Sequence, residues 1–335
     1  MQKYKHILLI APHYFDYDLV IKKFLEEKGY LVDLINDRPY DSNIFKAIVR
    51  INRSLIDTFL NFFYKKQLLK MSHHRKYQLI YIIQGEGLTP VFLKWLRMRN
   101  PDTPMIYYLW DSIKNKPKLK ENFPYFDRVI TFDSQDAKRL KIDFAPLFFS
   151  LKFKDLNKTK TIYDLSFIGS LHSDRGPLIK FFKKNAPHLR LFIYLYSPSR
   201  WIYFVRQFFN KNFRDIDLEY LYFQRLPYDK SQKIFLQSKV ILDIHNANQT
   251  GLTIRTIEAL SLGKKIATTN SNIKKYDFYN PQNIFILNRY HFAIPISFFK
   301  TPFKPVSQKI INSYSLENFY RKTIEPHLNK CSHFE

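Results

Sequence analysis

The chain has 335 residues, enough for two domains of ordinary size that each bury their own core. Hydrophobic residues make up 45% of it and aromatic residues 17%, which excludes a disordered chain. The single cysteine, Cys331, excludes a disulfide framework and a cysteine-based metal cluster, so a reducing cytoplasm is the expected compartment. No window approaches the ~20 apolar residues of a membrane span, and no transmembrane helix is expected.

The net charge is unusually positive. Lysine and arginine total 54 against 29 acidic residues, which gives +25 at neutral pH. A field of this sign favours polyanions, whether nucleic acid, an anionic membrane face or phosphate-bearing substrates. The excess is uneven, because residues 51–100 contain nine basic and two acidic side chains.

The N-terminal segment predicts a β-α-β unit. Residues 6–11 (HILLIA) form an apolar strand, a polar loop with His13 follows, and a helix over 19–28 ends at Gly29 before a strand over 31–35. The first loop lacks the G-x-G-x-x-G pattern, so no dinucleotide cofactor is expected.

A long helical pattern follows over residues 43–76, in which basic and apolar residues alternate with a single acid, Asp57. One interpretation is a basic, aromatic surface for anionic lipid headgroups or a charged acceptor. The alternative is a pair of core-packing helices with a solvated basic side. Both interpretations stay open at this point.

Alternating strands and helices then continue to residue 140 and predict a parallel sheet. The predicted strands are 78–84, before Gly85-Glu86-Gly87, then 105–109, before Trp110-Asp111-Ser112, and 128–132; the predicted helices are 90–98 and 134–140. Residues 146–160 are lysine-rich and polar, as expected of a linker.

A second series of strands and helices begins after the linker. The predicted strands are 163–168, 189–196 and 218–223, and the predicted helices are 177–184 and 230–237. The aromatic and basic segment over 199–214 is a second candidate for an interfacial surface. The first of these strands ends at Gly169-Ser170, from which a polar loop runs to Arg175.

Residues 240–270 hold the strongest ligand-binding pattern. A strand over 240–244, a helix over 253–262 and a strand over 265–269 surround Gly251, which lets the backbone approach a ligand. The N–H groups at the helix start and the helix dipole favour an anion there, and the carboxylate of Glu258 can accept ribose hydroxyls. The alternative is that Arg255 and Glu258 form a solvent-exposed pair and Thr253 is an ordinary helix cap.

The run GLTIRTIEALSLGKKIATTN resembles the nucleotide-sugar-binding element of GT-B-fold glycosyltransferases, in particular the bacterial group related to CgeB-type spore-coat proteins and to lipopolysaccharide and capsule glycosyltransferases. The segments YYLWDSIKN and YFDRVITFDSQDAK resemble the N-terminal half of the same group. The resemblance implies an α/β fold of two Rossmann-like domains facing a cleft. These are an acceptor domain over 1–150 and a donor domain over 151–312, with a C-terminal helix in 313–335 that crosses back to brace the first domain.

The same resemblance implies a donor site in the second domain. Glu258 would hold the donor ribose, and the remaining donor-binding residues would be Gly169, Ser170, Arg175, Tyr228, His245, Gly251, Leu252 and Thr253. Many retaining members carry a further glutamate eight positions before the ribose-binding one, where this chain has Thr250. The stereochemical outcome is therefore left open.

For an inverting reaction, a base at a strand end of the first domain would deprotonate the acceptor. The candidates are Asp111, Glu86 and His13, each of which also has a structural interpretation as a turn cap or a satisfied polar group. GT-B enzymes generally need no metal, so neither a metal nor a cofactor is expected. Arg175, and Lys264 or Lys265, would stabilise the leaving group.

The leading hypothesis is a glycosyltransferase that moves a sugar from a nucleotide-sugar donor to a lipid-linked or cell-surface glycan, on the inner face of the cytoplasmic membrane. A basic nucleic-acid-binding protein would also explain the charge, but no nucleic-acid-binding motif is present and the glycines mark small-ligand loops. A GT-B epimerase or a polyol-phosphate transferase is a further alternative. The sugar, the base, the acceptor and the oligomeric state are left open by the sequence.

Overall fold

The computed structural model describes residues 5–38, 53–71, 76–150, 159–171, 175–197, 199–209, 213, 216–289 and 293–328. The chain forms two compact units. The first contains Met1–Pro146, Asn248–Gly251 and Leu316–Glu335, and the second contains Leu147–Ala247 and Leu252–Ser315. Each unit has a six-stranded sheet in which all pairings are parallel.

The strands of the first unit are β1 (Lys5–Ala11), β2 (Tyr30–Asn36), β3 (Leu79–Ile83), β4 (Met105–Leu109), β5 (Arg128–Thr131) and β6 (Asp143–Phe144). Its helices are Tyr17–Glu27, Arg53–Met71, Pro90–Arg99, Ser134–Leu140, Leu316–Thr323 and Glu325–Leu328, with a 3-10 helix over Pro117–Tyr125.

The sheet order in this unit is β2-β1-β3-β4-β5-β6. Strands β3 and β4 are buried along their whole length, because they lie in the middle of the sheet with apolar side chains on both faces. The order reverses between β1 and β3, and ligands of open α/β sheets bind at the carboxyl ends of the strands at such a reversal. The loops after β1 and β3 therefore flank this reversal, and the loop after β4 lies next to them.

The C-terminal helices pack on the first unit, where Tyr320 Oη lies 2.9 Å from Tyr30 Oη and Glu317 Oε2 lies 2.7 Å from Lys28 Nζ. The sequence predicts one C-terminal helix in 313–335, but the described residues of this segment form two, Leu316–Thr323 and Glu325–Leu328. Pro326 has no N–H to donate to the carbonyl of Lys322, which accepts a hydrogen bond from Arg128 Nη1 at 3.1 Å instead.

The strands of the second unit are β7 (Tyr163–Ser170), β8 (Leu191–Tyr196), β9 (Leu221–Tyr222), β10 (Ser238–Asp243), β11 (Lys265–Thr268) and β12 (Ile284–Ile286), in the order β12-β11-β10-β7-β8-β9. Its α-helices are Arg175–Asn185, Arg200–Phe209, Tyr228–Leu236, Ile254–Ser261, Ile296–Lys300 and Gln308–Ser313. The order reverses between β7 and β10, the arrangement of a nucleotide-binding Rossmann sheet.

Most predicted elements are present, and the exceptions have physical causes. The strand predicted over 218–223 is limited to Leu221–Tyr222, because Asp217 and Glu219 turn to Lys183 Nζ at 3.0 and 2.7 Å and Leu218–Tyr220 forms a 3-10 turn. Parts of the predicted helix over 43–76 and of the predicted linker over 146–160 lie outside the described residues. Among the described helices, none combines the length and the apolarity needed to cross a membrane.

Candidate active site

In the second unit, the carboxyl ends of β7 and β10 are joined by two buried arginines. Arg255, on helix Ile254–Ser261, donates from Nε and Nη2 to the carbonyl oxygen of Ile168 at 2.9 and 2.5 Å. Its Nη1 donates to Asp243 Oδ1 at 2.7 Å. Arg255 thus holds the end of β7 to the end of β10.

Arg175 makes the second connection. Its Nε and Nη2 donate to the carbonyl oxygen of Ile244 at 3.0 and 2.8 Å, and its Nη1 donates to that of Ser170 at 2.7 Å. The guanidinium is buried, so its positive charge is held permanently beside the loops that follow β7 and β10. Its predicted contact with a donor diphosphate stays a prediction.

Gly169 is required by these two arginines. A Cβ atom at this position would lie 2.7 Å from Arg255 Nη2 and 3.2 Å from Arg175 Nη1. The guanidinium groups also lie over the ring of Phe167, with that of Arg255 4.9 Å and that of Arg175 5.5 Å from the ring centroid. A glycine is the residue that permits both cations to approach the strand end.

Asp243 is the buried counter-ion of this arrangement. Besides Arg255, its carboxylate accepts hydrogen bonds from the hydroxyls of Thr253 at 2.8 Å, Thr256 at 3.0 Å and Thr268 at 3.0 Å. Burial acts to raise the pKa of Asp243, but the positive charge of Arg255 and the hydroxyl donors outweigh it and lower the pKa. Asp243 is therefore ionised, and it fixes the first turn of helix Ile254–Ser261.

The predicted anion site lies at the start of this helix and stays a prediction. Thr253 caps the helix, accepting from Thr256 N at 3.4 Å, and Leu252 before it is buried. The backbone N–H groups of a first helical turn have no partner within the helix, and the helix dipole adds positive potential there. The cap formed by Thr253 and the predicted anion site at the start of this helix can therefore both be present.

Glu258 is buried on the same helix, at 4% exposure, and Arg255 is 9% exposed. The alternative of a solvent-exposed Arg255–Glu258 pair is therefore wrong. Glu258 hydrogen-bonds the hydroxyl of Tyr228, which also lies 3.0 Å from the carbonyl oxygen of Ser150. Burial, followed by the charge of Glu258, raises the pKa of Tyr228, so the phenol stays protonated and donates.

His245 follows β10 and is held by two partners. Its Nδ1 lies 2.8 Å from Thr269 Oγ1 and 3.1 Å from Arg289 Nη2. Because the guanidinium can only donate, Nδ1 is the accepting nitrogen and the imidazole proton is on Nε2. Arg289 Nη2 also donates to the backbone oxygen of His245 at 2.5 Å. Arg289 was not predicted from the sequence.

The loop residues Thr250 and Gly251 lie in the first unit, where they bind Asp133. Asp133 Oδ2 accepts from the N–H of Thr250 at 2.6 Å and from that of Gly251 at 2.9 Å, and Oδ1 accepts from the Thr250 hydroxyl. A Cβ atom on Gly251 would lie 2.5 Å from Phe132 Cε2. The Gly251 N–H is thus donated to Asp133, and close packing against Phe132 already requires a glycine here.

Among the candidate bases of the first unit, Asp111 has the most suitable environment. It lies beyond β4, half-buried, and Oδ1 accepts from Ser112 N at 2.9 Å and from Asn115 Nδ2 at 2.8 Å. Burial raises its pKa against the opposing effects of Asn115 and Lys116. The hydrogen bond from Ser112 N also agrees with the structural interpretation, in which Asp111 caps the turn after β4.

Glu86 and His13 have different surroundings. Glu86, after β3, forms ion pairs with Arg38 Nη2 at 2.6 Å and with Lys116 Nζ. His13, after β1, lies with Nδ1 3.0 Å from the carboxylate of Asp18. Since a carboxylate only accepts, Nδ1 is the donor in this contact, and Nε2 lies 3.9 Å from Oδ1 of a second carboxylate, that of Asp16.

The proposed role of Lys264 or Lys265 in leaving-group stabilisation does not fit the structure. Lys264 Nζ donates to the carbonyl oxygen of Leu236 at 2.6 Å, and Lys265 Nζ to that of Phe298 at 2.7 Å. Lys265 is the first residue of β11, so both lie at the amino-terminal edge of the sheet. Within the described residues, no three His, Cys, Asp or Glu side chains are grouped so that they could hold a metal ion.

No protein-family model matches the chain, and no curated protein sequence is significantly similar to it. Solved structures are similar in fold. The avilamycin A biosynthesis glycosyltransferase AviGT4 shares 11% identity at a TM-score of 0.55, over 98% of each chain. The calicheamicin glycosyltransferase CalG4 shares 12% at 0.50, over 98% of this chain and 100% of that one. Anabaena HepE, solved with UDP-glucose, shares 14% at 0.50, over 96% and 91%.

These similarities extend over both units of the chain. Two parallel six-stranded sheets with helices form the α/β architecture of GT-B glycosyltransferases. The predicted fold class is therefore confirmed.

Proposed function

We propose that the chain is a metal-independent glycosyltransferase, which moves a sugar from a nucleotide-sugar donor to a lipid-linked or cell-surface glycan of the lipopolysaccharide or capsule type. The observation that carries this proposal is the sheet reversal between β7 and β10, where two buried arginines join the strand ends and one of them, Arg255, lies in the first turn of helix Ile254–Ser261. The similarity of fold to AviGT4, CalG4 and HepE supports it.

The charges at the carboxyl ends of β7 and β10 suit a diphosphate leaving group. The guanidinium groups of Arg175 and Arg255 both lie at the carboxyl ends of β7 and β10, where they are buried. Positive charge in a region of low dielectric stabilises the negative charge that develops on a departing phosphate. The N–H groups of the first turn of helix Ile254–Ser261 supply hydrogen bonds in the same region.

Glu258 and Tyr228 are arranged to bind a ribose. The Tyr228 hydroxyl donates to the carbonyl oxygen of Ser150 at 3.0 Å and lies beside the carboxylate of Glu258. Because an ionised carboxylate has about four lone-pair sites, Glu258 can accept ribose hydroxyls while the hydrogen bond from Tyr228 to Ser150 stays in place.

In the proposed reaction, Asp111 of the first unit takes the proton of the acceptor hydroxyl. The acceptor oxygen forms a bond to the anomeric carbon, and the bond from that carbon to the phosphate oxygen breaks with its electron pair on the nucleoside diphosphate. Asp111 suits this role for an inverting reaction, because a raised pKa brings a carboxylate closer to the operating pH. His13, oriented by Asp18, is the alternative base.

The net charge of +25 supports an acceptor on or in an anionic leaflet, and with it a peripheral position on the inner face of the cytoplasmic membrane. The quoted sequence runs support the finer assignment to the group related to CgeB-type proteins and lipopolysaccharide and capsule enzymes.

Thermal unfolding with UDP-, GDP-, ADP-, TDP- and CMP-linked sugars tests the donor site. At 100 times its dissociation constant, a ligand adds about 2.7 kcal/mol of stability. We expect one nucleotide to stabilise the wild type and not Glu258→Gln. Glu219→Gln is the matched control, since Glu219 is exposed in the same unit. Failure of every donor to stabilise the protein, together with tight, salt-sensitive duplex binding, would favour a nucleic-acid-binding protein instead.

Activity then distinguishes the candidate bases. With the donor identified, Asp111→Asn should lower kcat by about 10²–10⁴-fold while the donor-induced thermal shift is retained. The same loss in His13→Gln, with Asp111→Asn near wild-type activity, would transfer the role to His13.

A further inference from the structure

Helix Arg200–Phe209 of the second unit carries an exposed aromatic face. The exposed fractions are 65% for Trp201, 52% for Phe204 and 79% for Phe208. Spacings of three and four residues place the three side chains on one side of the helix. Tyr203, 1% exposed, packs into the core that contains Leu178 and Phe182. The helix is thus fixed by its other side and presents the three rings to solvent.

The composition of the surrounding segment indicates the kind of surface that covers this face. Residues 199–214 contain the basic residues Arg200, Arg206, Lys211 and Arg214 and no acidic residue. The guanidinium of Arg200 lies 5.5 Å from the centroid of Phe223. Tryptophan and phenylalanine beside basic residues are typical of helices that lie in the headgroup region of an anionic bilayer.

We infer that Trp201, Phe204 and Phe208, which we call the aromatic face, insert into the interfacial region of an anionic membrane. Aromatic rings gain free energy on leaving water, and the exposed Arg200 of the same helix is attracted to anionic headgroups. A second copy of the chain fits less well, because a symmetric contact of this face with itself would bring two copies of Arg200 together. The inference rests on the membrane partnership proposed above and supplies its contact surface.

The first unit offers a weaker surface on helix Arg53–Met71. Phe59 and Phe62 are 42% and 63% exposed. However, Lys66 lies four residues after Phe62, and its Nζ is 5.8 Å from the centroid of that ring. A lysine interrupts the apolar surface there, whereas the aromatic face combines a tryptophan with two phenylalanines. We therefore assign the main insertion to helix Arg200–Phe209.

Co-sedimentation of the full chain with lipid vesicles tests the assignment. The vesicles are phosphatidylcholine alone or mixed with phosphatidylglycerol, at low and high salt. We expect the wild type to bind the mixed vesicles and to be released by salt. The variant Trp201→Gln/Phe208→Gln should bind at least about tenfold more weakly, because both rings would leave the interface. Met98→Gln, altering a side chain that is 71% exposed on another helix, should bind as the wild type does.

Several results would overturn the inference. One is equal vesicle binding by Trp201→Gln/Phe208→Gln and the wild type. Another is loss of binding in Phe59→Gln/Phe62→Gln while Trp201→Gln/Phe208→Gln still binds. A third is a wild-type protein that is oligomeric without lipid while Trp201→Gln/Phe208→Gln is monomeric. A wild type that binds no vesicle but is stabilised by a donor sugar would reject the membrane contact and leave glycosyl transfer intact. The double variant must keep the wild-type melting temperature and donor response; loss of either would assign these rings to the fold or the donor site, against the inference.

Discussion

Replacement of Asp243 by asparagine should strongly destabilise the second unit. The side chain is 0% exposed, so its interactions are not replaced by water. In Asp243→Asn the carbonyl oxygen can keep the Oδ1 contacts with Arg255 Nη1 at 2.7 Å and the Thr253 hydroxyl at 2.8 Å. The amide nitrogen would face the hydroxyls of Thr256 and Thr268, which both donate to Oδ2 at 3.0 Å and would have to turn.

The larger cost is the loss of charge. Arg255 is 9% exposed and would keep its positive charge without a buried counter-ion. Removal of one partner of a buried ion pair costs about 3–5 kcal/mol. For a domain of this size, each kcal/mol lowers the melting temperature by about 2–4 °C, so we expect a decrease of roughly 6–20 °C. Thr256→Val, which removes one hydrogen bond to the carboxylate, should cost about 1.5–3 kcal/mol.

Urea unfolding followed by circular dichroism measures these differences, and hydrogen exchange of peptides from β10 assigns them to the second unit. Asp243→Asn/Arg255→Met should be less unstable than the sum of its single variants, because the second change removes the unpaired charge. A loss below about 1 kcal/mol in Asp243→Asn, or additive single and double variants, would refute the view of Asp243 as counter-ion.

The remaining predictions concern packing, pH and the loop after β10. Gly251→Ala should cost about 1–3 kcal/mol in urea unfolding, because the new methyl group would meet Phe132, and unchanged stability would contradict this contact. Burial acts to raise the pKa of Asp133, but hydrogen bonds from backbone and hydroxyl donors outweigh it and lower the pKa. The stabilisation by ionised Asp133 is therefore present above the unfolded-state pKa of about 3.9 and is lost as the pH falls through the lower folded-state pKa. Over this acid range, Asp133→Asn should lose less free energy of unfolding than the wild type. Burial raises the pKa of Asp111, so the acid limb of kcat/KM should have its midpoint above about 3.9 and disappear in Asp111→Asn. Thr250→Glu should destabilise the protein by at least about 2 kcal/mol at neutral pH and by less in acid, because it places a second carboxylate beside Asp133.

The elements with regular patterns could be predicted closely from the sequence. Strand Met105–Leu109 and helix Ser134–Leu140 have the predicted bounds, because an apolar run and an aspartate cap mark them clearly. The strands β6 and β12 were not predicted. They contain two and three residues, which is too short for any periodicity to be visible.

Within the candidate site, Asp243 carried a signal that was not used. A carboxylate inside an apolar strand is rarely buried without a partner, so the sequence VILDIH required a cation such as Arg255, twelve residues later. Arg289 had no such signal. It reaches His245 across 44 positions of sequence, and only the neighbouring positions of β10, β11 and β12 bring the two together.

The contact between Asp133 and Thr250 shows why a motif departure is informative only with the fold in hand. Many retaining members of the resembled group carry a glutamate at the position where this chain has Thr250. Asp133 accepts hydrogen bonds from the hydroxyl and N–H of Thr250, the N–H of Gly251 and the N–H groups of Gln135 and Asp136. A glutamate at position 250 would replace the hydroxyl donor with a like charge. Thr250 and Asp133 therefore form a matched pair, in which a hydroxyl and two backbone N–H groups of the loop donate to one carboxylate.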